Sequence, residues 1–386
     1  MLDRERPVTP SRSGRSCFMV RWFSAVSVLL VVSCSGTTTA LRASPSYPSP
    51  SLSASPAASA SPEVPACQLP AMLWTYPNRE SQGGFIDSLS GNFTADPQSV
   101  MVFDPSKGLY RTPSQPYLYG NWGDSAVAST SYDPSHRRWL PVPPQWVSPD
   151  GSSYAYAVAE NAPGGGVHVV DVSTAADRVV PGTTGIPNAN YFVVGFLRDA
   201  VYLVRFGPTG GAGLGLWRLN PTTNSITQVS TDAPAVGVFV GETPLQDPSA
   251  PVMPDAWWTS TSADFSASSD PYVYFQYLTG DAGQHGEDWF QRPGLRMNVV
   301  GVDLAGRAIV VAQSPSQIEV WLLATPNDAT ELHSIMNNGS PDLPFKSAVA
   351  QGAGWWIGSK SGVFFATTRA FTQVSQTSAV IAGGCG

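Results

Sequence analysis

Trp146-Val147-Ser148-Pro149-Asp150-Gly151-Ser152-Ser153-Tyr154-Ala155-Tyr156-Ala157-Val158 and, after a glycine run, Val167-His168-Val169-Val170-Asp171-Val172 together decide the fold. Pro149 with Asp150-Gly151 makes a tight turn. Tyr154 to Val158 alternates large and small side chains, as a strand does. Gly164 to Gly166 makes the next turn, and Val167 to Val172 is the return strand. A similar unit follows about 47 residues on, at the spacing of a structural repeat. Val193 to Asp199 fills its first slot, Val201 to Phe206 is a strand, Gly207 to Gly213 a turn, and Leu214 to Leu219 the return. A third copy runs from Val299 to Leu323, with Asp303-Leu304-Ala305-Gly306 as its turn. Gly354 to Gly358, Gly362 to Ala366 and Phe371 to Val374 form a last one.

Units of this length, each holding several short strands, are the mark of propeller blades. The spacing predicts an all-β chain, a six- or seven-bladed β-propeller over residues 67–386. A pair of β-sandwiches is the alternative, and it explains the period less well. The segment from Trp146 to Val172 also resembles the TolB-type, WD-like propeller repeat, through Ser148-Pro149-Asp150-Gly151, Tyr154, Tyr156 and Val169-Val170-Asp171. The other units keep the spacing and lose the Pro-Asp-Gly. The resemblance implies residues that build blades, and it carries over no catalytic role. It also implies that the ring closes by pairing N- and C-terminal strands in one blade.

The first 65 residues give an address. Arg12, Arg15 and Arg21 precede an apolar run, Phe23 to Val32, too short for a comfortable bilayer span of about 20 residues. Basic, then apolar, then small is the order of a secretory signal. Met19 is an alternative start. Val31-Val32-Ser33-Cys34 resembles the bacterial lipoprotein signal, which implies cleavage after residue 33 and acylation of Cys34. An ordinary signal peptide with an incidental cysteine is the alternative. Two or more acyl chains anchor a protein firmly where one is marginal. Residues 34–66 hold the lipidated cysteine and a Ser/Pro/Ala-rich stretch with too little apolar bulk to offset chain entropy. They read as a disordered, solvated tether. The expected setting is the cell envelope, outside the cytoplasmic membrane, with the membrane as partner through the anchor.

Of four cysteines, Cys17 lies in the discarded segment and Cys34 takes the lipid, leaving Cys67 and Cys385. In an oxidising compartment the two are expected to pair, joining the ends of the folded domain. A loop this long gives the bond about 4–5 kcal/mol by chain-entropy reasoning. Two free thiols are the alternative.

The chain has 21 bases and 28 acids; without residues 1–33, which carry five Arg and two acids, the net charge is −10. That excludes nucleic acid as a partner, since binding it needs clustered Lys and Arg. Charged residues make up 13% against 36 Gly and 35 Pro, a balance that favours strands and turns over helices.

His136, His168, His285 and His333 are scattered without a metal-binding spacing, so neither a metal nor a cofactor is expected. His168 lies in an apolar strand and reads as structural. The densest polar cluster is Asp281, His285, Glu287, Asp288 and Trp289, suited to a polar ligand or to acid–base work, or else a plain exposed loop. Trp257, Trp258, Tyr272 and Tyr274 join it as candidate ligand-binding aromatics. They and the Trp355-Trp356 pair can stack on flat ligands at a propeller mouth, or pack blades. Adjacent strand residues face opposite sides, so at most one of each Trp pair is expected in the core. The glycine runs lack the Lys-Ser/Thr ending of a phosphate loop.

The expected function is a surface-tethered, non-catalytic propeller that binds or scaffolds a protein, a glycan or a small ligand. The rival is a propeller enzyme of glycoside hydrolase or lyase type, using the 281–288 acids with Asp255, Asp264 or Asp270. A purely structural envelope protein is the third reading.

Overall fold

The computed structural model describes residues 64–73, 82–100, 102–104, 109–112, 115–120, 130–158, 160, 164–184, 190–207, 213–231, 236–242, 255–260, 272–277, 287–292, 295–303, 305–325, 328–339 and 344–385. The chain divides into two units, Met1–Ala57 and Ala58–Gly386, and the described residues all lie in the second. The expected signal segment, Cys34 and most of the tether lie outside the described residues.

The described elements are almost entirely strands. β1 (Gln68–Leu73), β2 (Gly83–Asp87) and β3 (Phe93–Ala95) open the chain. β4 (Val102–Asp104), β5 (Leu109–Thr112) and β6 (Gln115–Gly120) make a three-stranded sheet, and β7 (Ser131–Asp133) with β8 (Arg138–Leu140) a hairpin. β9 (Ser153–Val158), β10 (Gly166–Asp171) and β11 (Asp177–Val179) make a second three-stranded sheet. Four-stranded meanders follow. The first holds β12 (Asn190–Leu197), β13 (Ala200–Phe206), β14 (Gly213–Asn220) and β15 (Ser225–Ser230). The next holds β16 (Val236–Glu242), β17 (Asp255–Ser260), β18 (Tyr272–Tyr277) and β19 (Glu287–Gln291). The third holds β20 (Arg296–Val302), β21 (Ala308–Gln313), β22 (Gln317–Thr325) and β23 (Asp328–Met336). The fourth holds β24 (Phe345–Gln351), β25 (Gly354–Ser359), β26 (Gly362–Thr367) and β27 (Ala370–Ser375). Finally β28 (Ala379–Ile381) returns to pair with β1, giving the order β28-β1-β2-β3.

The first strand of each meander packs on the first strand of the next, β12 on β16, β16 on β20, β20 on β24, and β24 on β28. Successive antiparallel meanders joined through their first strands, with chain ends sharing a sheet, make a β-propeller. Five sheets carry four strands among the described residues, fewer than the six or seven full blades expected. One incomplete sheet, that of the Pro-Asp-Gly unit, has a local cause. Its first strand is reduced to one bridge, Val147 with Tyr154, because Pro143 and Pro144 lead into a short 3-10 turn just before it.

Trp355 and Trp356 correct the expectation that only one of a pair packs inward: they are 1% and 0% exposed. Every residue of β25 and β21 is buried, since a blade is covered on both faces by its neighbours. First strands approach closely: a Cβ on Gly301 in β20 would collide with the Ala348 carbonyl of β24. Polar contacts also tie blades together. Arg292, just past β19, gives bidentate hydrogen bonds of 2.8 and 2.9 Å to Glu319 in β22 and lies 5.0 Å from the Trp321 ring centre.

The ring is closed twice. Ala71 pairs with Ile381, Met72 with Val380 and Leu73 with Ala379. Extending that register four positions sets Cys67 opposite Cys385, and a disulfide joins them with Cα atoms 5.6 Å apart. That separation lies inside the usual range for an unforced bond. Buried hydroxyls finish the seam. Ser88 Oγ accepts from Cys67 N at 2.8 Å and donates to Pro65 O at 2.6 Å, while Ser375 Oγ donates to Gly91 O at 2.6 Å.

Candidate functional site

Five separated stretches converge where the first strands end. Residues 131–135 come from the β7–β8 hairpin and 144–151 from the Pro-Asp-Gly unit. Phe196-Leu197 ends β12, Val302-Asp303 ends β20, and Ala382-Gly383 follows β28. They enclose a cavity of about 420 Å³. Pro144, Gln145 and Val302 also line a second cavity of about 280 Å³, walled by β20, β24 and β28. The two form an axial mouth and its continuation along the first strands.

Three carboxylates line the mouth, each set by a turn that needs it. Asp133 precedes Pro134 in the β7–β8 turn, where Oδ1 accepts from Ser135 N at 3.0 Å and Oδ2 from His136 N at 3.2 Å. His136 Nδ1 lies 2.5 Å from the same oxygen. Asp150 Oδ1 accepts from Ser148 Oγ at 2.6 Å and Ser152 N at 3.0 Å, closing the Pro-Asp-Gly turn. Asp303 accepts from Arg307 N at 2.8 Å and pairs with its guanidinium at 2.7 Å. The Ser148 hydroxyl, then the Ser152 amide and hydroxyl, hold the Asp150 carboxyl below its ordinary 3.8. A general acid needs the opposite shift. Burial raises the Tyr132 phenol above 10.0, so it stays protonated. Phe196 and Leu197 add apolar wall. Two hydroxyls differ from the carboxylates: Ser131 Oγ and Thr130 Oγ1 are buried and have no hydrogen-bond partner among the described residues.

The candidates chosen from sequence fall on another sheet. Trp257 and Trp258 lie in β17, Tyr272 and Tyr274 in β18, and Glu287, Asp288 and Trp289 in β19. The register sets Trp258 opposite Phe275 and Phe275 opposite Glu287, with Tyr274 opposite Asp288. The side chains of Trp257, Trp258, Tyr272, Tyr274, Glu287 and Asp255 lie outside the described residues, as do Asp281, His285, Asp264 and Asp270 entirely. Asp288 is exposed and accepts from Gln291 Nε2 at 3.2 Å. Trp289 is a correction: at 3% exposed it packs with Met297, Val299 and Ala312 of the next sheet. It is blade packing, not a stacking platform. Its alternation with exposed Asp288 is what an inward strand position produces.

His168 is structural. Its ring stacks on Tyr156 at 4.5 Å, Nδ1 lies 3.0 Å from Asp177, and Nε2 lies 2.7 Å from Gly164 O. Among the described residues no group of three or more His, Cys, Asp or Glu is placed to hold a metal ion.

No family model matches the chain, and no curated protein matches it. Solved structures do. TolB from Acinetobacter baumannii is 12% identical, with 82% of this chain and 67% of that one covered and a TM-score of 0.38. An oligogalacturonate lyase from Vibrio parahaemolyticus is 9% identical over 81% and 80%, at 0.44. The six-bladed Aleuria aurantia lectin is 9% identical over 83% and 85%, at 0.28. At such identities and scores, the propeller assignment rests on the sheet order itself.

Sequence reasoning missed the mouth. Asp150 was legible as a turn residue and Asp303 as part of another turn, but nothing local says that both face one cavity.

Proposed function

We propose that the protein is a lipid-anchored, extracytoplasmic β-propeller that binds a ligand at its axial mouth without transforming it. The observation that carries this reading is the state of the mouth's carboxylates: Asp133, Asp150 and Asp303 are each committed to a turn or an ion pair. Acid–base hydrolysis or elimination needs a pair of carboxyls whose pKa values are pushed apart. Asp150 is shifted the wrong way for the acid. A rigid ring with loops gathered at one end suits recognition. The bound partner belongs to the protein, glycan or small-ligand classes, and the cavity volume of about 420 Å³ favours a small ligand or a short segment of a larger one.

Cys34 carries the acyl anchor in this reading, and residues 35–66 hold the propeller off the membrane. The ring has six or seven blades in this reading, the two three-stranded sheets supplying those beyond the five complete ones.

The test is a paired assay on the full chain with a panel of free amines, neutral and acidic oligosaccharides and short peptides. Saturable binding with no product is expected. Product formation that disappears in Asp133→Asn or Asp303→Asn would establish the enzyme instead. The anchor is tested separately. Mass spectrometry of membrane-extracted protein is expected to find an acyl mass on Cys34, and Cys34→Ala to release the protein. An unmodified Cys34 would remove the anchor.

A further inference from the structure

We propose that the Cys67–Cys385 disulfide is a redox latch on the wall of the axial cavities: reduction by a dithiol frees β28 and opens that wall while the other blades stay folded. The link to recognition rests on the reading of the mouth as a binding site. The release itself rests on the fold alone.

Position joins the bond to the cavities. Val380 and Ile381 line the second cavity, Ala382 and Gly383 line the mouth, and Cys385 follows two positions on. The Ala382 carbonyl accepts from Tyr132 N at 2.8 Å, so the same segment also ties down the β7–β8 hairpin that carries Asp133. Displacing residues 380–383 therefore removes one wall from both cavities and one tie from another.

β28 has few other holds. It is three residues long, lies at the end of its sheet, and has β1 as its one hydrogen-bonded neighbour among the described strands, through three register pairs. Beyond that ladder, Ala382 N donates to Pro70 O at 2.9 Å, Ile381 N to Ser347 Oγ at 2.8 Å and Cys385 N to Gln351 Oε1 at 3.0 Å. Gly383 and Gly384 stand between the wall and Cys385 and offer no side chain to anchor the link. A short segment at a sheet edge opens locally at little free energy unless something ties it down. Here the tie is covalent. Val380, Ile381 and Ala382 are each 6% exposed or less, so a freed strand has a buried seat to return to when the bond re-forms.

The bond is not sealed in the core. Cys67 and Cys385 are each partly exposed, at the rim of the apolar cluster that holds Leu69, Ala71 and Ile381. A thiolate of the dithiol attacks one sulfur, the S–S bond breaks, and the other cysteine leaves as a thiolate and takes up a proton. The second thiolate of the reductant then displaces the first cysteine from the mixed disulfide. The protein gains two electrons and two protons, and the dithiol becomes a disulfide.

Hydrogen–deuterium exchange of the full chain without ligand reads the release in three states: oxidised, reduced with dithiothreitol, and re-oxidised. Reduction is expected to speed exchange of residues 379–385 and of Tyr132 by about tenfold or more, with β12–β15 and β20–β23 unchanged, and re-oxidation to reverse it. Cys67→Ser with Cys385→Ser should exchange fast there with or without the reductant. Exchange at 379–385 that reduction leaves unchanged, or that rises in step with every other sheet, overturns the proposal. The first result makes the bond idle, and the second makes it plain support for the whole ring. Reduction acts on the unmutated chain, so the test stays readable if the paired variant fails to fold. Binding is the second arm. A panel ligand held by the oxidised chain is expected to bind about tenfold more weakly after reduction, and equal affinity overturns the latch as a control on the mouth. If no panel member binds the oxidised chain, the reading of the mouth falls, and exchange alone decides the latch.

Discussion

The seam that closes the ring and the mouth at its axis treat buried hydroxyls in opposite ways. At the seam, Ser88 and Ser375 are each 6% exposed or less and bridge segments far apart in sequence. Ser99, fully buried, accepts from Gly83 N at 2.7 Å and donates back to Gly83 O at 2.8 Å. Beside the mouth, Ser131 of β7 and Thr130 just before it are as deeply buried and have no partner among the described residues. The seam spends its polar groups on holding the fold. The mouth fixes its carboxylates in turns and leaves these two hydroxyls out of that bonding.

The largest break in this comparison is at the disulfide. Cys67→Ser with Cys385→Ser, or reduction, should lower stability by up to about 5 kcal/mol, since the bond closes a loop spanning 318 positions. Denaturant unfolding with and without reductant reads this directly, and unchanged midpoints would deny the seam its role. Next comes the matched pair of hydroxyls. Ser99→Ala leaves a buried amide without its acceptor and should cost about 1–3 kcal/mol. Ser131→Ala should change stability by no more than about 0.5 kcal/mol, and equal losses at the two sites would erase the distinction drawn here.

A smaller effect comes from pH. His333 in β23 stacks on Phe371 of β27 at 4.2 Å, and burial pulls its pKa below 6.5, against the weaker opposing pull of Glu331. The folded state therefore favours the neutral ring. Its contribution is whole above pH 6.5 and is lost as the pH falls below that toward the folded value. Melting temperature should drop between pH 7 and pH 5, and His333→Gln should flatten the drop. An unchanged slope in that variant would place the pH sensitivity elsewhere.

The blades were legible because their signals are local. The Pro149-Asp150-Gly151 turn, the 199 and 303–306 turns and the apolar runs between them fix strand positions within a residue or two of those observed. The disulfide was legible by elimination among four cysteines. Blade completeness was not, because the two prolines at 143 and 144 strip the first strand of its unit, an effect visible only against the neighbouring sheets. Trp289 misled for a related reason: its polar neighbours mark an exposed edge, while its own side points into the next blade. The mouth was illegible because it is assembled from five stretches spread over some 250 positions, joined only by ring closure.

Hydrogen–deuterium exchange of the full chain with and without a saturating member of the binding panel tests the account most directly. The account predicts added protection confined to residues 130–136, 148–152 and 303–307, with the seam unchanged. Protection centred on 287–291, or none anywhere, would contradict the assignment of recognition to the axial mouth.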